Sequence, residues 1–212
     1  MKGLIVKDFT YIKNYWKTYL LAIILGIIPT ALINYDPNFM LIISMLIIFI
    51  ISINTFSFDK ENNWNKYALT MPVSRRDIVR AKYMLNIIGL LLGSILGFLL
   101  SLIGNFFYKI DLDFNNFINI LIISMAFFLI LSAIDLPTLF KWGTNKGKIV
   151  LMIVLFTLIA IIFQIIEKAY NYILNISSID TIKLNLLIIL ISILIYFISY
   201  KISLYIMSKK EY

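Results

Sequence analysis

The sequence predicts an all-α integral membrane protein of six transmembrane helices, with an amphipathic helix ahead of the first span and a folded polar segment between the second and third. Three observations carry this expectation. Hydrophobic residues make up 61% of the 212 positions and charged residues only 14%, with a mean hydropathy of +0.94, far from the usage of soluble domains. Six apolar runs approach the about 20 residues that a helix rising ~1.5 Å per residue needs to cross a ~30 Å hydrocarbon core. The basic residues, finally, collect on alternate connections.

The first segment, residues 1–17, places Ile5, Phe9, Ile12 and Trp16 at helical spacing on one side, with Lys7, Asp8, Asn14 and Lys17 largely elsewhere. It reads as a helix lying in the interface, a lipid anchor or a lever on the first span. The spans follow as Thr18–Asn34, Phe39–Phe56, Met84–Phe107, Phe117–Phe140, Ile149–Ile166 and Leu184–Ile206, in one domain over 1–212. The first run continues past the length of a signal-peptide core, so the segment is expected to be retained. Gly26 and Pro29 suggest a kink in the first span, and Tyr35–Asn38 leave room only for a tight turn into the second.

Orientation follows from counting Lys and Arg outside the spans. Sixteen of the 19 lie before the first span, in the second-to-third and fourth-to-fifth connections, or at the C-terminal end; Lys109, Lys168 and Lys183 share the other side with Asp36, Asp111, Asp113, Glu167 and Asp180. The positive-inside rule puts both termini in the cytoplasm of a multi-pass protein. The net charge of +8 is then topology and attraction to anionic lipid, without a nucleic-acid partner. With no Cys and no His, thiolate or His-ligated metal sites and Ser-His or Cys catalysis are excluded, and no catalytic or metal residues are expected.

Residues 57–83 hold the longest polar stretch. Asp59 and Glu61 favour a helix start, Pro72 ends a helix expected over Asp59–Leu69, and Ser74 with Asp77 three residues on caps a second helix running straight into the third span. Arg75, Arg76, Arg80 and Lys82 alone would serve to fix topology, but the mixed acids, Trp64, Tyr67 and the capped corner argue for a shaped docking surface.

The order of two spans, a polar helix with acids then aromatics, and MPVSRRDIVRAKY at Met71–Tyr83 resembles the type-2 ATP-binding-cassette permeases, in particular the small six-span bacterial group. DLPTLFKWGTNKGK at Asp135–Lys148 is similar to an element of the same family at the end of the fourth span. The resemblance implies a cytoplasmic coupling-helix hairpin at 57–83, docking on a separate ATPase through Asp59, Lys60, Glu61, Asn62, Trp64 and Tyr67, with Arg75 and Arg76 at the corner or the ATPase edge. It implies a homodimer or pseudo-dimer of permeases in a bacterial plasma membrane, with ATP and Mg bound by the partner and no cofactor in this chain. Phenol-soluble-modulin-type peptide exporters are the nearest likeness within the group. They suggest amphipathic peptides or lipid-like compounds as cargo. GTNKGK at Gly143–Lys148 is no P-loop: its glycine spacing is wrong and Ile149 stands where Ser or Thr is needed.

Inside the spans, Gly89, Gly93 and Gly97, followed by Ser101, form a small-residue stripe suited to close helix packing, with a substrate groove as the rival reading. Asp135 either pairs with Lys141 or caps backbone freed by Pro137, or else lines a transport path; Gln164 and Asn54 offer interhelical hydrogen bonds or path lining. Two other functions stay open: a membrane-embedded binding component of another transporter, and a non-transporting immunity or structural protein.

Overall fold

The computed structural model of the chain describes residues 2–33, 37–68, 70–109, 114–173 and 181–210, and every regular element among them is a helix. They are α1 (Lys2–Asn14), α2 (Trp16–Ile33), α3 (Pro37–Glu61), α4 (Trp64–Ala68), α5 (Arg75–Tyr108), α6 (Phe114–Ile173) and α7 (Thr181–Lys209). Four described segments are long and apolar enough to cross a bilayer: Phe39–Glu61, Arg75–Tyr108, Phe117–Gly147 and Asn185–Lys209; Trp16–Gly26 is a shorter apolar helix. The expected run Ile149–Ile166 is helical, but many of its side chains, Gln164 included, lie outside the described set. So do Asp36, Asp111, Asp113 and Asp180.

The connection expected between the fourth and fifth spans shrinks to one residue. Helix α6 passes through Pro137 and continues to Gly143, whose φ of 74° and ψ of −178° lie where only glycine sits without strain. There the chain turns back on itself. A Cβ added at Gly147 would stand 3.6 Å from the Leu139 Cα, whereas eight residues of unbroken helix would separate those positions by ~12 Å. Lys141 and Lys146 thus belong to helical arms of a hairpin and not to a loop.

Helices α3 and α5 approach most closely along the small-residue stripe. A Cβ at Gly93 would lie 3.1 Å from the Met45 Cα, and one at Gly97 2.7 Å from the Leu41 Cα; Gly89 faces Ile48 and Ser52. Ser44 Oγ donates to the Gly93 carbonyl oxygen at 2.9 Å, and Ser101 is fully buried. Around this contact Leu41, Met45, Phe49, Leu90, Phe117, Phe128 and Leu131 close one apolar core, joined by Leu139. On α2, Gly26 faces Ile43 of α3, and the helix runs unbroken from Trp16 to Ile33.

A second core joins α5, α6 and α7 around Ile78, Val79, Tyr83, Leu136, Phe140, Tyr196 and Met207. The Tyr83 hydroxyl lies 2.6 Å from Ser199 Oγ and 2.8 Å from Ser203 Oγ, while the Tyr196 hydroxyl donates to the Tyr83 carbonyl oxygen at 2.9 Å. In an apolar surround, each buried hydroxyl needs such a partner.

Two local expectations are corrected here. No single helix covers Asp59–Leu69: Asp59, Lys60 and Glu61 complete α3, the chain breaks at Asn62 and Asn63, the latter with a φ of 49°, and only Trp64–Ala68 form a separate short helix. A helix entering from the bilayer already satisfies the backbone of those acids, so they do not start a new one. The second half of the expectation is present in full. Ser74 Oγ accepts from the Asp77 amide at 3.1 Å and the Asp77 carboxylate accepts from the Ser74 amide at 3.2 Å, a complete capping box at the start of α5.

Candidate functional site at the charged end of the bundle

The end of the bundle where α1, the last turn of α3, α4 and the first turns of α5 meet gathers most of the residues singled out in the sequence. At its centre sit two lysines and two aspartates. Lys82 Nζ lies 3.0 Å from Asp8 Oδ1 and 2.7 Å from Asp59 Oδ2; Lys7 Nζ lies 3.1 Å from Asp8 Oδ1 and also pairs with Asp59. Each cation touches both anions, so the cluster is neutral as a whole. Asp8, Asp59 and Lys82 are almost wholly buried. Lys82 also donates to Thr55 Oγ1 at 3.0 Å and lies over the Phe56 ring, and Lys7 lies over the Trp64 ring. The four charges tie three separate helices together: α1, α3 and α5.

This arrangement changes the reading of α1. Its most buried residue among those described is Asp8, at 2% exposure, with Leu4 four residues earlier at 7%, while Phe9 is 39% exposed. The apolar period placed Asp8 on the outer side. Periodicity scores a carboxylate as solvent-seeking and has no view of a lysine on another helix that neutralises it. Asp59 is corrected likewise: its carboxylate turns inward to Lys7 and Lys82 and offers no free surface to a partner.

The basic run in ALTMPVSRRDIVRAKY is mostly spoken for. Arg75 Nη1 donates to the Ser208 carbonyl oxygen at 2.8 Å, supplying a cation and a donor to the last turn of α7. Arg80 Nε donates to the Tyr200 hydroxyl at 3.0 Å, Lys82 joins the ionic cluster, and Tyr83 binds the serines of α7. Arg76 alone of these side chains is exposed with no partner among the described residues. The sequence signalled a structured segment here but not that its charges hold α7. That link spans more than a hundred residues and leaves no local trace.

The outward-facing residues at the elbow are Glu61, Asn62, Asn63, Tyr67 and Met71, with Lys60 exposed and leaning over Gly143. Trp64 is half-buried, its ring tilted against that of Tyr67 at 5.7 Å and under Lys7. Of the intramembrane polar residues, Asn54 is half-buried. Asp135 is 3% exposed, and its Oδ1 has no hydrogen-bond partner among the described residues. The pairing with Lys141 is absent: Lys141 lies over the Trp142 ring instead. Nor does Asp135 cap backbone through that oxygen, while its carbonyl oxygen accepts from Thr138 Oγ1 at 2.8 Å. Among the described residues no group of three or more acidic side chains is placed to hold a metal ion.

A bundle of long apolar helices with a neutralised ionic latch at one end is that of a multi-pass membrane protein. The ABC-2 family transporter protein model matches residues 3–208, and the chain belongs to that family. Membership makes it a membrane permease subunit that works with an ATP-binding subunit. No curated protein and no solved structure matches the chain.

Proposed function

We propose that this chain is the six-span permease of an ATP-driven exporter in a bacterial plasma membrane, with both termini cytoplasmic, pairing with a second permease. The exposed elbow between α3 and α5 is its contact with the ATPase. Glu61, Asn62, Tyr67 and Arg76 form the docking face; Trp64 holds α4 in place, and Asp59 and Arg75 brace it from within. The observation that carries this reading is the ionic cluster behind the elbow. A force on a loose loop dissipates, whereas this elbow is tied to α1 and α5, and α5 in turn to α7. ATP binding in the partner then shifts the bundle between two states by its differential affinity for them. Tight packing of α3 on α5 supports their moving as one unit. The apolar and aromatic interior favours amphipathic peptides or lipid-like molecules as cargo.

The test is co-purification and stimulated ATP hydrolysis with the ATP-binding partner. E61A/Y67A, altering two exposed side chains, should abolish both while leaving the thermal unfolding of the permease unchanged. Full stimulation by a folded double variant removes the elbow from the mechanism.

A further inference from the structure

Beside the ionic cluster, a cavity of about 240 Å³ opens between the end of α3, the start of α5, the reversal of α6 and the residue after α7. Its lining includes Lys60, Lys141 and Lys210 together with Trp142, Gly143 and Thr144. Lys82 and Asp59 also reach it, but their charges cancel within the cluster described above. Lys60 and Lys141 enter no ion pair among the described residues. The Lys60 ammonium lies 4.0 Å from where a Cβ on Gly143 would stand, so a side chain there would narrow the space under it. Lys210 donates to the Phe140 carbonyl oxygen at 2.8 Å, which fixes its charge at the cavity wall, and burial pushes its ammonium below the ordinary lysine value. Lys60 and Lys141, two lining cations outside every ion pair of the described residues, make the cavity a site for an anion. Trp142, 47% exposed with Lys141 over its ring, is the kind of aromatic and cation pair that sits at headgroup level.

We propose that this cavity is a binding site for a phosphate group carried by an anionic phospholipid, held by Lys60, Lys141 and Lys210 with Trp142 alongside. Basic pockets between membrane helices take up acidic headgroups in this manner. The inference stands on the cavity and its charges and does not depend on the transport reading. A lipid seated there would bridge α3, the turn of α6 and the end of α7, three elements that no ion pair among the described residues joins.

The full chain, purified in neutral detergent, is titrated separately with short-chain phosphatidylglycerol, short-chain phosphatidylcholine and inorganic phosphate; bound lipid is counted by native mass spectrometry and thermal unfolding is followed alongside. Phosphatidylglycerol should half-saturate at a concentration on the order of tenfold below phosphatidylcholine. K60Q/K141Q should lose that preference, K60R/K141R should keep it, and K146Q, an exposed lysine outside the lining, should leave it intact. The arginine pair separates loss of charge from loss of fold. Inorganic phosphate protecting wild type but not K60Q/K141Q as well as the lipid does assigns the same phosphate site to a soluble source. Equal binding of both lipids with no effect of phosphate overturns the proposal, as does a preference undiminished in K60Q/K141Q.

Discussion

Helices α3 and α5 are held together twice, by opposite means. At the charged end, Lys82 of α5 reaches across to Asp59 and Thr55 of α3 and recruits Asp8 and Lys7 from α1. Further along, Gly93 and Gly97 bring the two backbones into contact at Met45 and Leu41, with Ser44 bonding the Gly93 carbonyl. The first junction is specific and fragile, because a buried charge tolerates only its own partners. The second rests on shape, since apolar helices gain little in lipid from hydrophobicity alone and depend on fit. The two junctions also fail differently: a shape contact yields by degrees, whereas an ionic square holds or breaks.

The strongest way to break the comparison is at the ionic end. Lys82→Met leaves Asp8 and Asp59 facing each other with Lys7 alone, and should destabilise the folded chain by about 3–5 kcal/mol. A thermal melt in detergent within a degree of wild type would show that the cluster is dispensable. Neutralising the whole square, as in K7M/D8L/D59L/K82M, should cost far less than the single change, because it strands no charge. Next comes Gly97→Leu, whose Cβ would meet the Leu41 backbone at 2.7 Å; overpacking there should cost about 1–3 kcal/mol and separate the helices, read as a longer distance between spin labels on α3 and α5. Gly143→Ala places a side chain at a φ of 74° and should cost about 1–3 kcal/mol, felt in α6 and not at the α3–α5 contact, so the two labels should not move. The smallest effect belongs to Ser74→Ala, about 1 kcal/mol from the lost cap, visible as faster amide exchange in the first turn of α5. Equal exchange in that variant would mean that Arg75 and Arg80, anchored on α7, hold the turn without the cap.

What the sequence disclosed, and what it withheld, divides along the same line. Features written within a few residues of one another were legible: the long apolar helices, the Ser74–Asp77 cap, the four-residue recurrence of glycine on α5. Features that depend on how helices rotate against each other were not. Asp8 and Asp59 read as surface acids because nothing local announces a lysine 74 residues away from the first of them. Gly143 read as part of a loop because the lysines around it look solvated, although a single glycine suffices to reverse the chain. Asp135 had two plausible local partners, and the fold uses neither for its Oδ1.

The grip of α5 on α7 bears on how this molecule is made. Arg75, Arg80 and Tyr83 leave the ribosome long before Tyr200, Ser203 and Ser208, with 120 residues separating Tyr83 from Ser203. At ordinary synthesis rates that interval is on the order of 10 s. Throughout it the hydroxyl and guanidinium groups of nascent α5 must find water, headgroups or an insertase as temporary company. The ionic cluster can close as soon as α5 is made, but the start of α5 is sealed only by α7, and a chain stalled before Ser199 should be handed to quality-control proteases with that face of α5 still open.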